Sequence, residues 1–176
     1  MACVNVLLAG AEGSGKTTFL KTIADVVVLS TDNGIVDTDP KAPAGAYSEF
    51  GRVRIDEAVT MSVYSPSPGV LDSMRNVLAG NMLGAVILVD RSSEEGFDDA
   101  QRLLKMFRAR RKAPFVIALN KHNASDPAAE IAEARKRLRL DEGVPVILVS
   151  ALDRGSLRNS LLALLFTALE GADTGG

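Results

Sequence analysis

The sequence predicts an α/β fold: a mostly parallel central sheet with helices on both faces. Three observations carry that expectation. Short apolar runs rich in β-branched residues recur along the chain. Several are nearly continuous in apolar character, as strands covered on both faces of a parallel sheet are. Segments with a helical repeat lie between them, so the two kinds of element alternate.

Taken in order, Val4–Ala9 is the first strand, and it runs straight into Gly10-Ala11-Glu12-Gly13-Ser14-Gly15-Lys16-Thr17. Thr18–Ile23 is helical. The alternation of Arg52, Arg54 and Asp56 with Val53 and Ile55 marks a half-exposed strand. Ala58–Tyr64, Ala85–Asp90, Phe115–Asn120 and Val144–Ser150 supply the others. Phe97, Ala100, Leu103, Leu104 and Phe107 form one apolar stripe of a helix. Its end, Arg108-Ala109-Arg110-Arg111-Lys112, carries cations that complement the macrodipole. Ser125-Asp126-Pro127 offers a capping residue and an early proline before the helix Ala128–Leu138, and Leu157–Leu169 is a strongly apolar last helix. Ser30–Ser48 breaks the rhythm: it holds Gly34, Pro40, Pro43 and Gly45 and has almost no apolar periodicity, so it reads as a long loop able to fold over a ligand. With no repeat or linker evident, residues 1–170 are expected as one domain and 171–176 as a flexible tail.

Composition narrows the partners. The 176 residues are 47% hydrophobic with a net charge of −2, and the pI is near 5.5. This is the profile of a soluble globular protein with no electrostatic reason to bind nucleic acid. The single cysteine, Cys3, excludes an internal disulfide and suits a reducing cytoplasm. No signal-peptide pattern, membrane-length apolar run, myristoylation glycine or prenylatable cysteine is seen. A cytoplasmic location with no integral membrane segment is therefore expected.

The chemistry is concentrated in Gly10–Thr17, which matches the phosphate-cradling pattern G-x-x-x-x-G-K-[ST] between a strand and a helix. Small residues there let successive N–H groups turn inward around phosphate oxygens at a helix N-terminus. Glu12, Gly13, Ser14, Gly15, Lys16, Thr17 and Thr18 form the expected phosphate-binding set. Lys16 would set its ammonium between the β- and γ-phosphates, and the Thr17 hydroxyl would ligate Mg²⁺.

Two further segments stand at strand ends: Asn120-Lys121-His122-Asn123 and Ser150-Ala151-Leu152. In an open α/β sheet both should converge beside the glycine-rich loop. Together the three segments resemble the phosphate loop and the base-reading motifs N-K-x-D and S-A-[KL] of Ras-like small GTPases, P-loop NTPases of the TRAFAC class. The resemblance covers nearly the whole chain. It looks closest to the bacterial branch of gliding-motility and conservon-type GTPases, through Glu49-Phe50-Gly51-Arg52-Val53-Arg54-Ile55-Asp56, Leu78-Ala79-Gly80 and Gly84–Asp90. It implies a three-layer small G domain that binds GTP or GDP with Mg²⁺ as a molecular switch. A protein regulator or effector, such as a roadblock-fold protein, is the implied partner. By matching position, Asn120 would bond near the guanine edge and brace the loop. The stem of Lys121 would cover one face of the base, and the Ala151 N–H would meet guanine O6. Asn123, Ser150 and Leu152 complete the nucleotide set, and the Gly69 N–H would sense the γ-phosphate. His122 holds the variable place of its motif.

The chain departs from the family's pattern at four places. Asn123 stands where the base-selecting aspartate belongs. One of its pairings with guanine becomes unfavourable, at a cost of about 1–3 kcal/mol; Asp126 is a weaker substitute. Ser65-Pro66-Ser67-Pro68-Gly69 lacks the carboxylate that holds a Mg²⁺-bound water. Val70 replaces the glutamine that orients attacking water. Glu12 brings a negative charge toward the γ-phosphate. Switch I adds to these four, since no threonine aligns cleanly before Phe50-Gly51 and Thr31 or Thr38 would have to serve. The binding half is thus largely kept and the hydrolytic half degraded, so GTP hydrolysis is expected to be slow or partner-dependent. The alternatives are a non-hydrolysing pseudo-GTPase scaffold and a small P-loop nucleotide kinase. The kinase would leave Asn120-Lys121 unexplained. Tyr47 and Phe50 are the expected aromatic anchors for a partner.

Overall fold

The computed structural model describes residues 2–29, 49–66, 82–109, 113–121 and 125–173. The expectations for Ser30–Ser48 (with Thr31, Thr38 and Tyr47), Ser67–Val70 including Gly69, Leu78–Gly80, Arg110–Lys112, His122 and Asn123 lie outside these residues.

Along the chain the elements are β1 (Ala2–Gly10), α1 (Lys16–Ile23), β2 (Val26–Leu29), β3 (Glu49–Arg54), β4 (Val59–Ser65), β5 (Met82–Asp90), α2 (Glu94–Arg108), β6 (Phe115–Asn120), α3 (Pro127–Leu138), β7 (Val146–Leu148) and α4 (Arg154–Asp173). The strands form one seven-stranded sheet in the order β2-β3-β4-β1-β5-β6-β7. From β4 to β7 every pairing is parallel, whereas β2–β3 and β3–β4 are antiparallel. The result is a mixed, mostly parallel α/β sheet with helices on both faces.

Strand pleating explains how continuous apolar runs serve two cores. In β1, Val6 and Leu8 point to one face, where they pack with Phe19, Leu20 and Ile23 of α1 and Leu157, Leu161 and Leu164 of α4. Leu7 and Ala9 point to the other, against Phe97, Ala100 and Leu104 of α2 and Ala134 and Leu138 of α3. The second layer closes on α2, whose apolar stripe was visible in the sequence.

Helix starts follow their local chemistry. Ser93 caps α2 by accepting from the Gly96 N–H at 3.0 Å. Asp126, not Ser125, caps α3 by accepting from the Ala129 N–H at 3.1 Å, with Pro127 in the first turn. Two elements differ from expectation. Strand β2, a four-residue run directly after α1, was not foreseen, and the last helix continues to Asp173, into the segment expected as a tail. Arg108 also does more than offset the dipole of its own helix: its guanidinium donates to the carbonyls of Leu138 and Arg139, at 3.3 and 2.6 Å. It thereby caps the end of α3. Among the described residues, no helix is long and apolar enough to cross a membrane.

Candidate functional site

Strand β1 ends at Gly10 in the centre of the sheet, and the chain turns through Ala11–Gly15 before α1 begins at Lys16. Gly13 and Gly15 have φ of +77° and +107°, a left-handed backbone that side-chain-bearing residues rarely adopt. Gly15 is constrained twice, because a Cβ there would lie 2.6 Å from the Asn120 Nδ2. Helix α1 has no side-chain cap at its N-terminus. Its first-turn N–H groups are thus left without a side-chain acceptor, an arrangement that favours an anion at a helix N-terminus.

Asn120 joins three distant segments. Its Nδ2 donates to the Ser14 carbonyl at 2.9 Å, and its Oδ1 accepts from the Ala151 N–H at 3.2 Å. The side chain sits in the interior, with the residue only 4% exposed. Asn120 thus links the glycine-rich loop to the segment after β7. The Ala151 N–H, expected to face a guanine oxygen, is directed at Asn120 instead. A further tie comes from Thr22 of α1, whose hydroxyl donates to the Ala151 carbonyl at 2.6 Å.

Lys121 has φ of +57°, one of two non-glycine residues among those described with positive φ. Its ammonium donates to the Gly13 carbonyl at 2.9 Å and to Asp90 Oδ2 at 2.8 Å. Burial pushes the Asp90 carboxyl up, but hydrogen bonds from Lys121 and Ser92 outweigh it and hold the group below the usual carboxylate range. Asp90 therefore stays charged and anchors the lysine. Beyond it, Ser150 is exposed, Ala151 is buried, and Leu152 leaves 81% of its surface open beside them.

Lys16 donates to the carbonyls of Gly10 and Ala11, both at 2.7 Å. Burial pushes its ammonium below the ordinary lysine range, while the charges of Glu49 and Glu12 pull it back up. Thr18 is half-buried and Glu12 exposed. Ser14 Oγ is buried without a hydrogen-bond partner, packed where a Cβ on Gly10 would lie 2.6 Å from it.

At the start of α1, the Thr17 hydroxyl donates to Glu49 Oε1 at 2.5 Å. This pair of hard oxygen donors fits Mg²⁺, which typically takes one or two protein oxygens, with phosphate and water completing the shell. Among the described residues, no group of three or more His, Cys, Asp or Glu could enclose a metal by itself.

Glu49, Asp90 and Thr22 are the site residues that sequence reasoning did not single out. Asp90 ends an apolar strand, and both it and Glu49 lie in segments quoted for the resemblance, but no role was attached to either; Thr22 carried no signal. Asp126, the weaker substitute, uses its Oδ1 as the cap of α3. Phe50, expected as a partner anchor, packs its ring on Tyr64 with centroids 5.0 Å apart. A cavity of about 610 Å³ opens on the Glu12 side of the loop, against Asp99, Arg102 and Met106 of α2; Lys16, Thr17 and Asn120 are not among its lining residues. No protein-family model matches this chain. A search of curated proteins also finds no match.

Proposed function

We propose that this chain binds a guanine nucleotide with Mg²⁺ across the Gly10–Thr17 loop, Asn120–Lys121 and Ser150–Leu152, and acts as a small-GTPase-like switch with slow hydrolysis. One observation carries the reading. The buried carboxamide of Asn120 ties the glycine-rich loop to Ala151, so three segments that separately resemble nucleotide-binding motifs meet on one side chain. A kinase reading leaves that arrangement unused. The exposed Leu152 and the aliphatic stem of Lys121 are suited to covering an aromatic base, and the half-buried Lys16 is a cation that an incoming phosphate would draw from the Gly10 and Ala11 carbonyls. Thr17 would hold the Mg²⁺, which would supply charge neutralisation at the phosphates.

Slow turnover is supported at the end of β4. Ser65 and Pro66 stand there, both buried, and neither offers a carboxylate. The same observation favours the second reading, a pseudo-GTPase that holds nucleotide as a scaffold without hydrolysing it. A roadblock-fold regulator is proposed on the resemblance alone.

Titration of GDP, GTP and ATP with and without Mg²⁺, combined with phosphate release, tests the proposal. Guanine nucleotides at a hundredfold excess over Kd should add about 2.7 kcal/mol, a Tm rise on the order of 5–11 °C. Lys16→Ala should abolish that rise. Release of phosphate near 10⁻⁴ s⁻¹ or slower is the expected order for unassisted hydrolysis, and its complete absence selects the scaffold. Preference for ATP, or no shift with any nucleotide, overturns the reading.

A further inference from the structure

We infer that Glu49 is the positioning residue of the cation half of this site, acting through Thr17. The inference rests on the nucleotide reading above and adds a role to a residue outside all three motifs.

The charge balance of the loop raises the question. Lys16 is approached by two carboxylates, Glu12 and Glu49. Lys121 also touches the loop, at the Gly13 carbonyl, but it is paired with Asp90, so two cations stand with three carboxylates before any phosphate arrives. Such a surface repels a polyphosphate unless a divalent cation enters with it. Glu49 has the geometry to orient the hydroxyl that would hold that cation.

A threonine hydroxyl has one proton and two lone pairs. In this structure the proton is committed: Thr17 donates it to Glu49 Oε1 at 2.5 Å. With the proton turned toward the carboxylate, the lone pairs of Oγ1 are left for a metal. The charge-assisted bond also makes that oxygen a better donor. Partners of this outer kind fix ligand orientation and tune affinity in metal sites generally.

The sheet supplies the placement. Glu49 is the first residue of β3, opposite Leu29 of β2 and Ser65 of β4 in register. Ser65 closes β4 without a carboxylate, and its antiparallel neighbour brings one to the same end of the sheet. Phe50, next along β3, packs on Tyr64 and steadies that register. Glu49 is half-buried, so its charge is only partly screened by water.

The test is a Mg²⁺ titration of the complex with a fluorescent GDP, starting from EDTA, in the full chain and in Glu49→Gln, Glu49→Asp, Thr17→Ala and the Thr17→Ala/Glu49→Gln double variant. Thermal unfolding of each checks that it folds. Glu49→Gln should move the Mg²⁺ midpoint roughly 10- to 100-fold higher. In EDTA the same variant should bind GDP at least as tightly as the parent chain, since a negative charge has gone. Glu49→Asp should recover part of the loss. The double variant should be no worse than Thr17→Ala, because Glu49 acts through that hydroxyl. An unmoved Mg²⁺ midpoint in Glu49→Gln overturns the inference. So does GDP binding that tightens equally with and without Mg²⁺, which would make Glu49 a repulsive group only, or losses that multiply in the double variant. A parent chain that binds GDP with no response to Mg²⁺ removes the role of Glu49 and leaves the nucleotide reading standing; no GDP binding at all removes both.

Discussion

The Asn120 carboxamide uses both its ends inside the protein, so its removal tests a structural and a binding role together. Asn120→Ala leaves the Ser14 carbonyl and the Ala151 N–H without their partner in a site only 4% exposed. An abandoned buried polar group costs about 1–3 kcal/mol. Urea denaturation of Asn120→Ala should therefore show a loss in that range or somewhat above it, with nucleotide affinity falling alongside. A loss well under 1 kcal/mol would mean that water reaches both groups. At this scale the sequence was legible where a motif fixes residue types at short spacing, as in Gly10–Thr17. It was silent where a role depends on register. Glu49 meets Thr17 only because β3 begins there and pairs with β4, and no local pattern encodes that pairing.

Packing between elements explains why small residues stand at particular junctions. Gly96, in the first turn of α2, lies so close to the end of β5 that a Cβ would come within 2.2 Å of the Asp90 carbonyl. An alanine would gain about 1 kcal/mol in helix propensity, whereas forcing such an overlap against backbone typically costs 1–3 kcal/mol or more. The clash should win. Gly96→Ala should destabilise the chain and, by shifting Asp90, loosen the anchor of Lys121, with a lowered Tm and weakened nucleotide binding as the paired readout. A neutral or raised Tm would show that α2 moves away freely. Helix α2 was legible from its apolar stripe, and α3 from its capping residue and early proline. Strand β2 was not, since Val26–Leu29 is too short for period to separate it from the end of the preceding helix.

Across the whole molecule, the alternation of apolar runs and helical stripes revealed the layering, but the antiparallel edge and the strand order emerged only in three dimensions. That order divides the site. The glycine-rich loop hangs from β1, flanked on both sides by long parallel partners, while Asn120 ends β6 and Ala151 comes after β7. Glu49 belongs to the other margin, where the last strand is the four-residue β2, paired on one side only. Opening free energy falls from core strands to edges. Amide hydrogen exchange should thus find Leu7 and Leu8 limited by global unfolding, and Val26–Leu29 released by smaller excursions; equal protection would contradict this. The consequence is temporal. If Mg²⁺ sits at Thr17 and nucleotide along β1, fraying of the margin removes Glu49 while Thr17 stays with the loop, so the ion loses its orienting partner before the phosphates lose theirs.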